Sequence, residues 1–202
     1  METRRPPEIP NWDGLEKESL SVKRSLTSSD SLPASFFYKK EQGDLILISG
    51  PSGSGKTTFC SKLVSLARSS NTSIGGILCL AVFEGGNKVG IDQYDIKSEK
   101  QQRLGLRSKW MDSYAVGCWH LSKNVISWGN QALAELTKED VVVIDEIGPL
   151  ELENGSGYQQ ALRLLDERCY RLAFVAVRPS LLLVAQKRWP HAQTYVLGSA
   201  TQ

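Results

Sequence analysis

The chain has 202 residues, of which 41% are hydrophobic and 23% are charged, and its formal net charge is +2. This length suits one compact domain, and the proportions exclude a fibrous or wholly disordered chain because they match ordinary soluble globular proteins. The small net charge, with both signs interspersed, argues against the basic stripe or cluster that nucleic-acid-binding proteins carry. We therefore predict no nucleic-acid partner.

The sequence also carries no signal for a membrane or for a structural metal site. The N-terminus Met-Glu-Thr-Arg-Arg-Pro-Pro has no apolar segment behind it, and no apolar run approaches the ~20 residues of a membrane-spanning helix. The cysteines are far apart, form no Cys-x-x-Cys pair and are accompanied by two histidines, so they are predicted to be buried, reduced thiols: Cys60, Cys79, Cys118 and Cys169. We predict a cytoplasmic protein without membrane contact.

Residues 1–42 differ in composition from the rest of the chain. Two arginines precede two prolines, and residues 19–35 are rich in serine with scattered lysine and arginine. A weak helical pattern of Leu15, Leu20, Val22 and Leu26 interrupts it, so the segment is predicted to be a flexible, partly helical N-terminal arm outside the main core. The arm is a candidate site for a protein partner, and the folded domain is predicted to comprise residues 43–202.

The beginning of the domain alternates between strand and helix patterns. Residues 44–48 form a short, continuous apolar run that predicts a strand buried on both faces, and residues 57–68 have helical spacing of apolar positions. Residues 74–83 and 89–96 read as two further strands. The Glu-Gly-Gly-Asn sequence at 84–87 between them predicts a hairpin turn.

The middle of the domain is less regular. Residues 97–112 are polar and basic and are predicted to form an exposed loop, whereas residues 114–121 suit a strand. Ser122 is a plausible N-cap of a helix that ends near residue 137. The four apolar residues 141–144 predict another buried strand.

The last part of the domain continues the alternation. Residues 158–167 predict a helix, residues 171–177 a strand, Pro179 the first turn of a helix, and residues 194–197 a final strand. Alternating strands and helices imply crossover connections and a sheet covered by helices on both faces. The predicted fold is an α/β three-layer sandwich with a mainly parallel sheet and an added antiparallel hairpin.

A glycine-rich segment between the first strand and the first helix matches the phosphate-loop pattern G-x-x-x-x-G-K-[ST]. The predicted nucleotide-binding residues are Gly50, Pro51, Ser52, Gly53, Ser54, Gly55, Lys56, Thr57 and Thr58. Glycines allow a tight turn whose N–H groups enclose phosphates at the positive end of the helix. Lys56 is expected to reach the β- and γ-phosphate oxygens, and the Thr57 hydroxyl to bind Mg²⁺.

A second element lies about 90 residues later in the chain. The buried strand at residues 141–144 is followed directly by Asp145 and Glu146, which is the Walker B arrangement. Asp145 is expected to hold Mg²⁺ through its water. Glu146 is placed to orient an attacking water or to accept its proton, which favours hydrolysis over transfer to another acceptor.

The sequence Val-Val-Ile-Asp-Glu-Ile-Gly-Pro-Leu-Glu-Leu at residues 142–152, together with the phosphate loop, resembles a small nucleoside-triphosphatase family. That family was described from thermophiles and includes vertebrate, cancer-related relatives. The similarity extends over residues 44–198 and includes Gly75-Gly76-Ile77, Gly90-Ile91-Asp92 and Tyr114-Ala-Val-Gly117. The Asp-Glu-Ile-Gly-Pro-Leu-Glu run is specific, whereas these three shorter matches are only suggestive.

The resemblance implies slow, Mg²⁺-dependent hydrolysis of ATP, GTP and other nucleoside triphosphates to the diphosphate and phosphate, with little base selectivity. It implies the P-loop NTPase fold with an extra strand between the phosphate-loop strand and the Walker B strand. It also implies that the glutamate, here Glu146, is the catalytic base. The arm at residues 1–42 departs from the compact pattern of the family.

An arginine would stabilise the charge that develops on the γ-phosphoryl oxygens in the transition state. The candidates are Arg178, which ends a core strand, and Arg103 and Arg107 in the predicted basic loop. We favour Arg178 because strand ends in open α/β sheets face the ligand crevice. The predicted catalytic residues are thus Glu146, Lys56 and Arg178, and an arginine from another subunit is an alternative source.

Two other functions fit the same motifs. A P-loop phosphotransferase would use residues 97–109 as a lid over the phosphates, and a nucleotide-gated binding module would bind without turnover and engage a partner through its arm. The acid pair at residues 145–146 favours the hydrolase.

Overall fold

The computed structural model describes residues 43–109, 112–137 and 139–198. The predicted arm, residues 1–42, lies outside that part of the chain, so its role stays a prediction. No helix among the described residues is long and apolar enough to cross a membrane.

Helices and strands alternate through most of the domain, as predicted. The elements are β1 (Asp44–Ser49), α1 (Lys56–Ser69), β2 (Ile74–Glu84), β3 (Asn87–Asp95), β4 (Gln101–Leu106), β5 (Ser113–Val116), β6 (Trp119–Ser122), α2 (Lys123–Ala134), β7 (Val141–Ile147), α3 (Pro149–Leu152), α4 (Gln159–Glu167), β8 (Leu172–Val177), α5 (Leu182–Arg188) and β9 (Gln193–Val196). A 3-10 turn at Pro179–Leu181 leads into α5.

The strands form one nine-stranded sheet in the order β5-β6-β4-β3-β2-β7-β8-β1-β9. The five strands from β2 to β9 are parallel, and β3 to β6 extend the sheet as antiparallel strands. One hydrophobic cluster packs the sheet against α1, and a second packs its other face against α2, α4 and α5. This confirms the α/β sandwich with a mainly parallel sheet.

Strand β8 separates the strand that precedes the phosphate loop from the strand that ends in the acid pair. It pairs in parallel with β1 on one side and with β7 on the other. All six of its residues are buried, which explains the unbroken apolar run at Leu172–Val177. The extra strand implied by the family resemblance is therefore present.

The middle of the chain differs from prediction. The segment 97–112, predicted to be an exposed loop, contains β4, and the strand predicted at residues 114–121 is a hairpin of two strands, β5 and β6. Only Leu104 and Gly105 of β4 are fully buried, so the strand has no apolar run or alternation to detect. Gly117 turns the hairpin with φ 58°, a left-handed conformation that glycine adopts readily.

The cysteines also differ in part from prediction. All four are free, and Cys60 is buried as expected, but Cys118 and Cys169 are exposed. Both follow or lie in turns rather than on the buried strands.

Gly76 in β2 is required by a close approach of two backbones. A Cβ at this position would lie 1.9 Å from the Val143 carbonyl oxygen, and its φ is 124°. We expect Gly76→Ala to lower the free energy of unfolding by about 3 kcal/mol or more, because neither the backbone of β7 nor this φ can adapt. Urea unfolding followed by circular dichroism measures the effect.

The control is Gly75→Ala, whose added Cβ would meet the movable Leu136 side chain rather than backbone. Its cost should be clearly smaller. Equal costs for the two variants would contradict the backbone explanation.

Candidate active site

The carboxyl ends of β1, β7 and β8 meet at one edge of the sheet, and each end carries polar residues. The phosphate loop follows β1, Asp145 and Glu146 lie at the end of β7, and Arg178 follows β8. Ligands of open α/β sheets bind at such an edge. The predicted residues that lie far apart in the sequence are thus brought to one place.

The phosphate loop connects β1 directly to α1. Gly53 and Gly55 have φ of 80° and 86°, and the Ser54 N–H donates to the Pro51 carbonyl at 3.2 Å. Helix α1 begins at Lys56, so the loop backbone precedes the positive end of a 14-residue helix. Left-handed glycines within a turn direct successive N–H groups to the same concave side, which suits an anion.

Two serine hydroxyls at this loop have no hydrogen-bond partner within the described part of the chain. Ser49 ends β1 and Ser54 lies inside the loop, and the hydroxyl oxygen of each is buried. Buried polar atoms are nearly always paired, so an unpaired hydroxyl inside a phosphate-binding loop points to a polar ligand. A phosphate oxygen beside Ser54 would satisfy this need.

Lys56 folds back over the loop. Its Nζ donates to the carbonyl oxygens of Gly50 at 2.6 Å and Pro51 at 3.0 Å. Partial burial lowers the pKa of Lys56, while the nearby carboxylates of Glu146 and Asp145 oppose this shift. The ammonium group therefore lies between the loop and the acid pair, where phosphate oxygens can replace its carbonyl partners.

Asp145 and Thr57 form the candidate metal-binding pair. Asp145 is 2% exposed, and its carboxylate accepts hydrogen bonds from the Thr57 hydroxyl and, at 3.4 Å, from the Cys79 N–H. Burial raises the pKa of Asp145 to about 6, although these two hydrogen bonds oppose the shift. A deeply buried carboxylate beside a hydroxyl offers two oxygen ligands of the kind that Mg²⁺ prefers.

These two residues fit a metal that is also held by its ligand. Within the described residues there is no group of three or more His, Cys, Asp or Glu side chains that could hold a metal ion. Mg²⁺ in phosphoryl-transfer sites is typically bound by one or two protein oxygens together with substrate phosphates and waters. The Thr57 and Asp145 oxygens are therefore compatible with a divalent metal ion that substrate phosphates and waters also coordinate.

Glu146 and Arg178 form an ion pair across the ends of β7 and β8. The Arg178 Nε donates to the Glu146 Oε1, and the two side chains are 49% and 28% exposed. The charge of Arg178 also acts on Lys56. The predicted base and the favoured arginine thus contact each other beside the phosphate loop.

The other two candidate arginines lie on the antiparallel extension of the sheet. Arg103 pairs with Asp92, and Arg107 lies 5.4 Å from the centre of the Trp119 ring. Five strand spacings, roughly 24 Å, separate β4 from β1. Of the three candidates, Arg178 is the one placed at the phosphate-loop edge.

Glu151, which belongs to none of the predicted site residues, shapes the loop after the acid pair. Glu151 is 7% exposed, and its carboxylate accepts hydrogen bonds of 2.8 Å from the N–H groups of Gly148 and Tyr158. Burial raises the pKa of Glu151. Its position three residues after Gly148 is the spacing of a helix-capping glutamate, a signal that the sequence contained.

Comparisons with known proteins identify the family. A family model described as NTPase matches residues 45–198. The nucleoside-triphosphatase THEP1 of Methanopyrus kandleri is 27% identical over 122 residues, which cover 60% of this chain and 67% of the relative. The THEP1 proteins of Caldivirga maquilingensis and Thermofilum pendens are each 31% identical, over 61% and 66% of this chain and 69% and 74% of the relative.

One solved structure has the same fold. The solution structure of a human cancer-related nucleoside triphosphatase covers 79% of this chain, and the match covers 90% of that protein, with a TM-score of 0.59 and 21% sequence identity. At this identity the similarity concerns the fold alone.

Proposed function

We propose a mechanism from the premise that the chain belongs to the NTPase family and is a nucleoside-triphosphatase. The family match extends over nearly the same residues as the resemblance read from the sequence, which is thereby confirmed. In our proposal the protein hydrolyses ATP, GTP and other triphosphates with Mg²⁺, and it acts in the cytoplasm, where free cysteines such as its four persist.

The observation that carries the mechanism is the meeting of Lys56, Asp145, Glu146 and Arg178 beside the phosphate loop. The loop N–H groups and Lys56 bind the β- and γ-phosphates and orient the γ-phosphoryl group. Thr57 and Asp145 would hold Mg²⁺, which neutralises negative charge on the β- and γ-phosphate oxygens when it is bound.

Glu146 acts on the attacking water. Its carboxylate orients the water and accepts its proton as the water oxygen bonds to the γ-phosphorus. The bond between that phosphorus and the β–γ bridging oxygen breaks, and the diphosphate leaves with the bonding electrons. Arg178 stabilises the negative charge of the transition state.

The structure does not support the lid that a phosphotransferase would need. The segment proposed as its lid, residues 97–109, contains β4, which is held in the sheet by β3 and β6. The binding module without turnover is disfavoured too, because the chain belongs to a family whose relatives are nucleoside-triphosphatases.

The test is release of inorganic phosphate from ATP, GTP, CTP and UTP in the presence of Mg²⁺. We expect all four to be hydrolysed, with kcat/KM values that differ by less than about ten-fold, or about 1.4 kcal/mol. Such a narrow range is expected because the candidate binding residues belong to a loop suited to phosphates, which all four nucleotides share.

The control reaction contains EDTA instead of Mg²⁺ and should release no phosphate above background. Nucleotide binding without phosphate release in Mg²⁺ would contradict hydrolysis. Strong preference for one base would contradict the proposed substrate range while leaving hydrolysis intact.

A further inference from the structure

The ion pair between Glu146 and Arg178 occupies the carboxylate that the mechanism needs. We propose that Arg178 senses the γ-phosphate: it holds Glu146 in the absence of triphosphate and releases it when the γ-phosphate takes the guanidinium. The inference rests on the role proposed for Glu146 and adds a control step to the same site.

The backbone at Arg178 is held, so the side chain is the part that can move. Arg178 is extended, with φ −66° and ψ 148°, and precedes Pro179. Its carbonyl accepts a hydrogen bond of 3.0 Å from the Leu181 N–H, which closes the 3-10 turn. The guanidinium can therefore change partners by side-chain rotation without a rearrangement of β8.

The pair is accessible to solvent and hence inexpensive to open. The Arg178 and Glu146 side chains are 49% and 28% exposed, and half-exposed ion pairs contribute little to stability. Asp145, by contrast, is buried and keeps its partners Thr57 and Cys79. The pair at Glu146 can thus open while the metal-binding side chain stays in place.

A bound γ-phosphate competes for Arg178 with an advantage over the carboxylate. It carries more negative charge and more acceptor oxygens than Glu146, and arginine binds phosphate with paired hydrogen bonds. Arg178 already acts electrostatically on Lys56, whose ammonium is proposed to bind the β- and γ-phosphates. A diphosphate offers no γ-oxygens, so with it Arg178 stays on Glu146.

The test is a double-mutant cycle on nucleotide binding, with Glu146→Gln, Arg178→Gln and the double variant. Titration calorimetry with Mg²⁺ measures the Kd of AMP-PNP, which keeps a γ-phosphate but resists hydrolysis, and of ADP. In Glu146→Gln, Arg178 has no ion pair to break before it binds the γ-phosphate. We therefore expect AMP-PNP to bind about three- to five-fold more tightly than to wild type, with ADP changed by less than about two-fold.

The Arg178→Gln background separates this effect from simple repulsion between Glu146 and the γ-phosphate. If Arg178 is the sensor, Glu146→Gln should change AMP-PNP binding by less than about two-fold in that background. An equal gain in both backgrounds, or no gain in either, would overturn the proposal. Thermal melting of each variant verifies that it is folded.

The matched control is Arg188→Gln, which breaks an exposed arginine–carboxylate pair with Asp166 away from the site. It should change neither nucleotide's Kd. Phosphate release by Glu146→Gln tests the proposed general base separately, because retained hydrolysis would show that Glu146 is not the base. The binding cycle reports only whether Arg178 exchanges Glu146 for the γ-phosphate.

Discussion

Glu146→Gln is expected to lower kcat for phosphate release by about 100-fold or more while Mg²⁺-nucleotide binding is retained. A general base of this kind contributes about 10²–10⁴ in rate, and glutamine keeps the shape of the side chain but cannot accept the proton. The partial exposure of Glu146 makes a folding defect from this change small. Single-turnover phosphate release and equilibrium binding measure the two effects separately.

Two further variants serve as a comparison and as a control for Glu146→Gln. Lys56→Ala removes the ammonium that contacts the phosphate loop and should weaken binding as well as turnover. Glu153→Gln changes an exposed glutamate seven residues further along and should leave kcat unchanged. If Glu146→Gln retained most of its kcat, another group or the substrate itself would have to accept the proton.

Asp145→Asn is expected to abolish hydrolysis and, at the same time, to stabilise the metal-free protein by up to about 3 kcal/mol at neutral pH. Burial raises the pKa of Asp145 to about 6, about two units above its usual value, and each unit corresponds to about 1.4 kcal/mol. The folded state therefore disfavours the charge. Asparagine removes that charge yet can still accept from the Cys79 N–H and donate to the Thr57 hydroxyl.

The pH dependence gives this prediction a definite sign. The folded pKa is raised, so the contribution of Asp145 to stability is complete below about pH 4 and is lost as the pH rises through about 6. The gain from Asp145→Asn should thus vanish near pH 4 and reach its plateau above pH 7. Urea unfolding in EDTA at several pH values measures it.

Asp112→Asn is the control, since Asp112 is 61% exposed and pairs with Lys123 at the surface. Its effect on stability should be small at every pH. Addition of Mg²⁺ and AMP-PNP should stabilise wild type strongly and Asp145→Asn little. A destabilised metal-free Asp145→Asn protein would show that hydrogen bonds to the carboxylate outweigh its burial.

The phosphate loop and the acid pair could be predicted because each is a local pattern with a fixed backbone context. Gly50–Thr57 lies between a buried strand and a helix, and Asp145 ends a run of four buried residues. Strand β4 could not be predicted, because its outer residues face solvent and its pairing depends on β3. Nothing local in Gln101–Leu106 encodes that partner.

The contact between Glu146 and Arg178 could not be predicted from local sequence patterns either. The two residues are 32 positions apart, and their meeting depends on β8 lying next to β7 in the sheet. The sequence placed both at strand ends, yet it did not specify the order of the strands. For Glu151 the local signal was present, because its spacing from Gly148 indicates a helix cap. Its burial and its hydrogen bond to the Tyr158 N–H, which show that it shapes the loop, are known only from the structure.

The inserted strand β8 also sets the width of the catalytic crevice. Neighbouring strands lie about 4.8 Å apart, so β1 and β7 are separated by roughly 10 Å. The phosphate-binding loop and the acid pair thus lie on opposite sides of a crevice that can admit a phosphoryl group and a water molecule between them. Because backbone hydrogen bonds between strands fix this width, repacking of either helical layer should leave the distance between β1 and β7 unchanged.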